Sequence, residues 1–138
     1  MVEQGARVPQ PARRGDAGYD LVAAEACELA PRGGRAQIST GLRVAIPEGY
    51  AGLVLPRSGL AAKHGVTCIN APGLIDSGYR GVVRVALVNL DPQDAYLVRV
   101  GDRIAQLVVV PVPSATFTVV TELPVSDRGD GGFGSTGR

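Results

Sequence analysis

The chain of 138 residues has only two cysteines, one histidine, no tryptophan and no long apolar run. Cys27 and Cys68 stand far apart with no Cys-x-x-Cys pairing, so neither a disulfide framework nor a zinc cluster is expected. His64 has no histidine partner for a metal and is followed by Gly65-Val66, so the His-x-Glu pattern of zinc deaminases is missing. It is expected on a short helix beside Lys63, facing solvent. No segment approaches the length needed to cross a bilayer, and Met1 to Arg14 is polar, without an apolar targeting core. Secretion and membrane insertion are therefore not expected, and a reduced, cytoplasmic setting is. Charge of one sign is scarce too: 14 Lys and Arg against 13 Asp and Glu leave a net +1. Such a balance gives no basic surface for a nucleic-acid polymer, so any arginine that meets phosphate must be placed locally. No internal repeat is present.

Turn formers and β-formers dominate what is there. With 19 glycines and 10 prolines, and apolar residues that lean to Val, Ile, Leu and Ala, the composition favours short strands separated by turns. The length suits one domain, and an all-β fold is expected. Arg7 to Arg14 reads as an extended lead-in. Leu42, Val44 and Ile46 alternate with Arg43 and Ala45, which predicts a half-buried strand within residues 36–46. Further strands are predicted over Ala51 to Leu55, Val66 to Ile69, Val82 to Leu90, Tyr96 to Val100 and Thr116 to Glu122, and around Ile104 and Leu107 to Val110. Ser58 is a suitable N-cap for a short helix over Leu60 to His64 that Gly65 would stop. Arg128 to Gly137 has five glycines in ten residues, too flexible a mixture to hold a conformation unaided. Residues 1–127 are thus expected as the β-domain and 128–138 as a mobile arm.

The densest stretch is Asn70-Ala-Pro-Gly-Leu-Ile-Asp-Ser-Gly-Tyr-Arg-Gly81. Pro72-Gly73 and Ser77-Gly78 are turn dipeptides, so Leu74, Ile75 and Asp76 should form a short arm that pairs with the start of the strand after Val82. The tip would then offer open backbone amides and carbonyls beside Asp76. Uracil presents acceptor, donor, acceptor along its pairing edge, which such groups can match, whereas cytosine reverses the order and would leave buried groups unpaired. Upstream, free amides at the start of the short helix, with Arg57 alongside and Gly59 permitting close approach, suit an anion. Taken singly, each feature also fits a bland structure: a surface hairpin, a capped helix, a solvated arginine.

Gly73-Leu-Ile-Asp-Ser-Gly-Tyr-Arg-Gly81 resembles the third motif of the trimeric deoxyuridine triphosphatases, the dUTPases. Asp16-Ala-Gly-Tyr-Asp20-Leu, Pro56-Arg-Ser-Gly-Leu-Ala61, Gly101-Asp-Arg-Ile-Ala-Gln106-Leu and Arg128-Gly-Asp-Gly-Gly-Phe-Gly-Ser-Thr-Gly137 resemble the first, second, fourth and fifth, in the family's order. The resemblance implies a compact jelly-roll-like (β-clip) barrel with one short helix, assembled as a homotrimer with sites at subunit interfaces. It implies hydrolysis of dUTP to dUMP and pyrophosphate with Mg²⁺, which keeps uracil out of DNA and supplies dUMP for dTMP synthesis. Asp76 would activate the water that attacks the α-phosphorus. Asn70, Gly73, Leu74, Ile75 and the backbone of Arg84 would meet the base, and Tyr79 the sugar. Arg57, Ser58, Gly59 and Gln106 would meet phosphate, and Asp20 would support the network around them. In the arm, Phe133 would stack on the base, Gly134, Ser135 and Thr136 would border the terminal phosphates, and Arg128 would neutralise the γ-phosphate. Asp102 and Arg103 read as a structural pair. Mg²⁺ is expected to be held by triphosphate and waters, with no direct protein ligand.

Two rivals remain open. A dCTP deaminase, alone or bifunctional, would need a carboxylic acid near the base, and residues 70–84 contain no glutamate. A non-catalytic nucleotide-sensing trimer would be marked by loss of Asp76, Arg57 or Arg128, all of which are present.

Overall fold

The computed structural model describes residues 1–3 and 6–132. Its central pairing joins β4 (Tyr50–Leu55) to β9 (Arg103–Pro111), antiparallel from Tyr50 opposite Pro111 to Leu55 opposite Gln106. Burial follows position along β9: Ile104, Ala105 and Leu107 in its first half are buried, from both faces, while Val109 and Pro111 near its end and Arg103 at its start are exposed. Pro111 has no amide to continue the ladder, and the strand ends there. β1 (Tyr19–Val22) and β6 (Gly73–Ile75) flank this pair to give a four-stranded sheet in the order β1-β9-β4-β6. A second sheet has the order β3-β7-β5, from β3 (Gly34–Ser39), β7 (Arg84–Asn89) and β5 (Val66–Cys68). A two-stranded ribbon pairs β2 (Cys27–Leu29) with β8 (Tyr96–Val98).

One core sits between these layers. Leu21, Leu29, Ile38, Val66, Val85, Leu87, Val98 and Ile104 are each no more than 1 % exposed, and each contributes on the order of 1.5–3 kcal/mol by leaving water. Asn89, at the end of β7, is fully buried among them. Its Nδ2 donates to Leu29 O at 3.0 Å and Asp94 O at 2.9 Å, and its Oδ1 accepts the Asp91 amide at 2.9 Å. This one side chain ties three segments together.

Helix α1 (Ser58–His64) follows β4 directly and ends at Gly65, whose φ of 62° lies in the left-handed region that glycine tolerates. Its N-cap is Arg57, with no side-chain cap, so Ser58 is the first helical residue and not the cap expected. The His64 ring lies 5.0 Å from that of Tyr96, leaving His64 exposed yet in contact with β8.

Three other expectations change. Residues 42–46 form no strand; Leu42 and Ile46 are buried, but Gly41, at φ 63°, turns the chain and only an isolated bridge joins Leu42 to Val2. Thr116 to Glu122 is not a strand either, and Phe117 and Val119 are almost wholly exposed because nothing in the described residues packs on them. Most consequentially, β6 pairs with β4 and not with β7. The two arms of the 70–90 hairpin belong to different sheets, and a gap opens between them.

Candidate active site

That gap is a cavity of about 330 Å³ bordered by Asn70, Gly73, Leu74, Ile75, Asp76, Tyr79 and Arg84, with Gln37, Val54, Val83 and Ala86 behind them. β6 is the edge of its sheet, so the side of its backbone away from β4 is unpaired. Cis-Pro72 precedes β6. Space is tight at Gly73: a Cβ there would lie 3.1 Å from Asn70 Nδ2 and 3.3 Å from Val54 Cβ. Asn70 therefore rests its amide against the strand edge. Asp76 is exposed at the mouth, where its carbonyl accepts the Tyr79 amide at 3.0 Å. The loop beyond it is held by guanidinium groups: Arg80 Nη1 donates to Ser77 O and Tyr79 O at 2.6 and 2.7 Å, and Arg43 Nη1 to Arg80 O at 3.1 Å. The Arg84 side chain is drawn toward Glu25, 3.7 Å away.

A second concavity, about 380 Å³, lies where β1, β9 and the start of α1 meet. Asp20, Arg57, Ser58, Gly59, Arg103 and Gln106 border it, with Asp16 and Gly18. Asp20 stands opposite Gln106 in the β1–β9 register. Its carboxylate is shared: Oδ1 lies 3.2 Å from Arg57 Nε and Oδ2 3.1 Å from Arg103 Nη1. Arg57 Nη1 also donates to Arg103 O at 3.1 Å. Gln106 Nε2 reaches Pro56 O at 3.5 Å, and its Oε1 lies 2.5 Å from where a Cβ on Gly18 would be.

Of the residues expected at a site, the first cavity gathers Asn70, Gly73, Leu74, Ile75, Asp76, Tyr79 and Arg84, and the second gathers Asp20, Arg57, Ser58, Gly59 and Gln106. Arg128 borders neither; its Nε donates to Gly131 O at 2.9 Å in a local turn. Phe133, Gly134, Ser135 and Thr136 lie outside the described residues. Arg103 and Asp102 do not pair. Asp102 Oδ2 accepts the Arg99 amide at 2.8 Å and closes the β8–β9 turn, while Arg103 joins Asp20. Gly101-Asp102 is a turn pair and Arg103 opens the strand, and that change of element was the available signal. Gln37 carries no local motif that marks it; only the pairing of β3 with β7 brings it in. Among the described residues, no three His, Cys, Asp or Glu side chains cluster as a metal site.

An edge-strand cavity large enough for a base, and a separate concavity lined by paired arginines, both on a jelly-roll-like β-clip scaffold, define a nucleotide-site protein of that fold. Comparison with known proteins narrows the class: the dUTPase family model matches residues 4–137, and the chain belongs to the dUTPase family. It is 56% identical over 131 residues to the deoxyuridine 5'-triphosphate nucleotidohydrolase of Leifsonia xyli, covering 95% of this chain and 86% of that one. The Cutibacterium acnes protein of the same name is 56% identical over 130 residues, covering 94% and 85%. Among solved structures, the dUTPase of Staphylococcus bacteriophage 80alpha with dUPNHPP has a TM-score of 0.89 at 34% identity, covering 100% of this chain and 96% of that one. A point mutant of the phage phi11 dUTPase, described for its coordination of a structural Mg(II) ion, has a TM-score of 0.77 at 32% identity, covering 90% and 95%.

Proposed function

We propose that this chain is a dUTP diphosphatase that hydrolyses dUTP to dUMP and pyrophosphate, keeping uracil out of DNA and supplying dUMP for dTMP synthesis. The observation that carries the reading is the cavity between β6 and β7, where an unpaired strand edge, the Asn70 amide and the Asp76 carboxylate border one base-sized space. Backbone groups of Gly73, Leu74, Ile75 and Arg84 match the uracil edge, and cytosine would leave them unpaired. The Tyr79 ring packs on the sugar where a ribose 2′-hydroxyl would have to fit. Asp76 takes a proton from a water aligned for in-line attack on the α-phosphorus. Aspartate is a weak base at neutral pH, so most of the rate comes from stabilising charge on the departing pyrophosphate. Arg57, the backbone at Ser58 and Gly59, the Gln106 amide and Arg128 supply that stabilisation.

The cation is Mg²⁺. Both Asp20 oxygens are engaged by guanidinium, and Asp16 Oδ2 takes the Arg13 amide at 2.8 Å, so the carboxylates bordering the second concavity suit an ion that arrives with its own phosphate and water ligands. Bound there, it would neutralise phosphate charge. Asp20 supports the arginines around it.

The working unit is a homotrimer with sites between subunits. Two features support this: the base cavity and the arginine-lined concavity share no lining residue, and among the described residues the apolar side chains of Phe117, Val119, Leu123 and Val125 are left almost wholly exposed. Residues 1–127 form the β-domain, and 128–138 an arm that closes on the substrate, with Phe133 on the base and Gly134, Ser135 and Thr136 at the terminal phosphates. No helix among the described residues is long and apolar enough to cross a membrane; the proposed location is the cytoplasm.

Pyrophosphate release measured across dUTP, dCTP, dTTP and UTP, with and without Mg²⁺, tests the activity. Release from dUTP alone, with light scattering at the mass of three chains, is expected. Ammonia from dCTP would point to the deaminase, and an Asp76→Asn variant that keeps full turnover would remove Asp76 from its role.

A further inference from the structure

Tyr79, the one aromatic among the described residues that borders the base cavity, makes its hydroxyl and ring contacts to its own loop. Its hydroxyl donates to Val82 O at 3.0 Å, and its ring folds back over Gly81. A Cβ on Gly81 would lie 2.6 Å from the ring Cζ and 3.0 Å from Cε2, well inside the roughly 3.5–4.0 Å at which carbon atoms rest against one another. Gly81 is not among the glycines with positive φ, so its backbone conformation is open to any residue. The space under the ring is what demands glycine. Gly78, in the same loop, has nothing within 4 Å of a Cβ.

We propose that Gly81 is a specificity-determining position: it is the seat of the Tyr79 ring, and through the ring it sets the discrimination between deoxyribo- and ribonucleoside triphosphates. It is a positioning residue, and the inference rests on the reading of Tyr79 as the sugar gate. The backbone of the surrounding loop is braced, so the ring is the part that yields to a methyl group. Val83 N donates to Leu42 O at 2.8 Å, Arg43 holds Arg80 O, and Arg80 holds Ser77 O and Tyr79 O. A wedge at 81 therefore moves the ring and stretches the bond to Val82. A ring without its seat adjusts around a 2′-hydroxyl where a seated one refuses it.

The test compares kcat/KM for dUTP and UTP in the wild type, Gly81→Ala, Tyr79→Ala and the double variant. Gly81→Ala is expected to lower the dUTP-to-UTP preference about fivefold, the scale of one hydrogen bond. Tyr79→Ala should lower it further, and the double variant should match Tyr79→Ala, since the obstacle is gone. An unchanged preference in Gly81→Ala, or an equal further drop in both backgrounds, overturns the proposal. Should Gly81→Ala alone fail to fold, melting temperatures decide: the double variant is expected to melt with Tyr79→Ala, and unfolding in both backgrounds would mean that glycine serves the backbone, against the proposal. A Tyr79→Ala variant with wild-type preference removes the gate itself, and a wild type inert toward dUTP removes the proposed activity; the inference falls with either, and neither measurement involves Gly81.

Discussion

Arg57 does not extend freely into its concavity: its Nε lies 3.2 Å from Asp20 Oδ1, and its Nη1 is committed to Arg103 O at 3.1 Å. Asp20 thus sets the direction of the guanidinium most suited to meet phosphate. Replacing it by asparagine keeps the shape and removes the charge that aligns two cations. Because these side chains are partly exposed, the pairs contribute at most about 1 kcal/mol to folding, and the melting temperature should barely move. Orientation matters more: kcat/KM for dUTP should fall about tenfold or more in Asp20→Asn. A variant with wild-type kcat/KM would make the ion pairs ornamental.

Asn89 is the opposite case, a buried polar group whose value is structural. Truncation to alanine strands Leu29 O and Asp94 O, which now receive its Nδ2. A buried acceptor without a donor costs on the order of 1–3 kcal/mol. Asn89→Ala should therefore lose roughly 2–4 kcal/mol in urea unfolding, with dUTP turnover of the folded fraction preserved. A loss below about 0.5 kcal/mol would contradict the tie between β2, β7 and the 91–94 turn.

Much of this molecule was legible in its sequence, and the reasons for the remainder are physical. β4, α1, β5, β7 and β8 fall where alternation, turn residues and Gly65 place them, because those signals are local. The pairing of β6 was not local. The arm over Leu74 to Asp76 was expected to close on the strand after Val82, as adjacent strands usually do, but β4 takes that edge and the base cavity exists for that reason. Residues 42–46 and 116–122 alternate well yet find no partner strand, and without a ladder alternation alone builds nothing. At the site, motif residues were readable one by one. The place of Gln37 and the pairing of Arg103 with Asp20 come from strand register, which the sequence does not display.

Burial pushes the Cys68 thiol from its ordinary 9.0 up to about 11. The raised value belongs to an acid whose charged form the fold disfavours. Its contribution to stability is complete below pH 9, where folded and unfolded chains both hold the proton, and is lost as pH rises from 9 toward 11, because only the unfolded chain then releases it. Denaturant midpoints should therefore fall across that window in the wild type and fall less in Cys68→Ala. At pH 8 a thiol with this pKa is about one part in a thousand thiolate, so alkylating reagents should label Cys27 first and Cys68 only on unfolding. Fast labelling of Cys68 in the folded protein would refute its burial.

Deleting residues 128–138 separates fold from function. Among the described residues no buried core residue lies beyond Leu107, so the truncated chain should keep its melting temperature and oligomeric state. The proposed arm brings Arg128 and the residues after Gly132 to the substrate only when it closes, displacing water from the reacting phosphate. Binding of dUTP through the base cavity should then survive while turnover drops, by about a hundredfold if the arm supplies charge stabilisation on the scale of a single well-placed donor. Calorimetric titration with a non-hydrolysable dUTP analogue and pyrophosphate release on the same preparation would separate the two effects. Full turnover without the arm would place the whole of catalysis in the β-domain, and a collapse in melting temperature would mean that the arm is part of the fold.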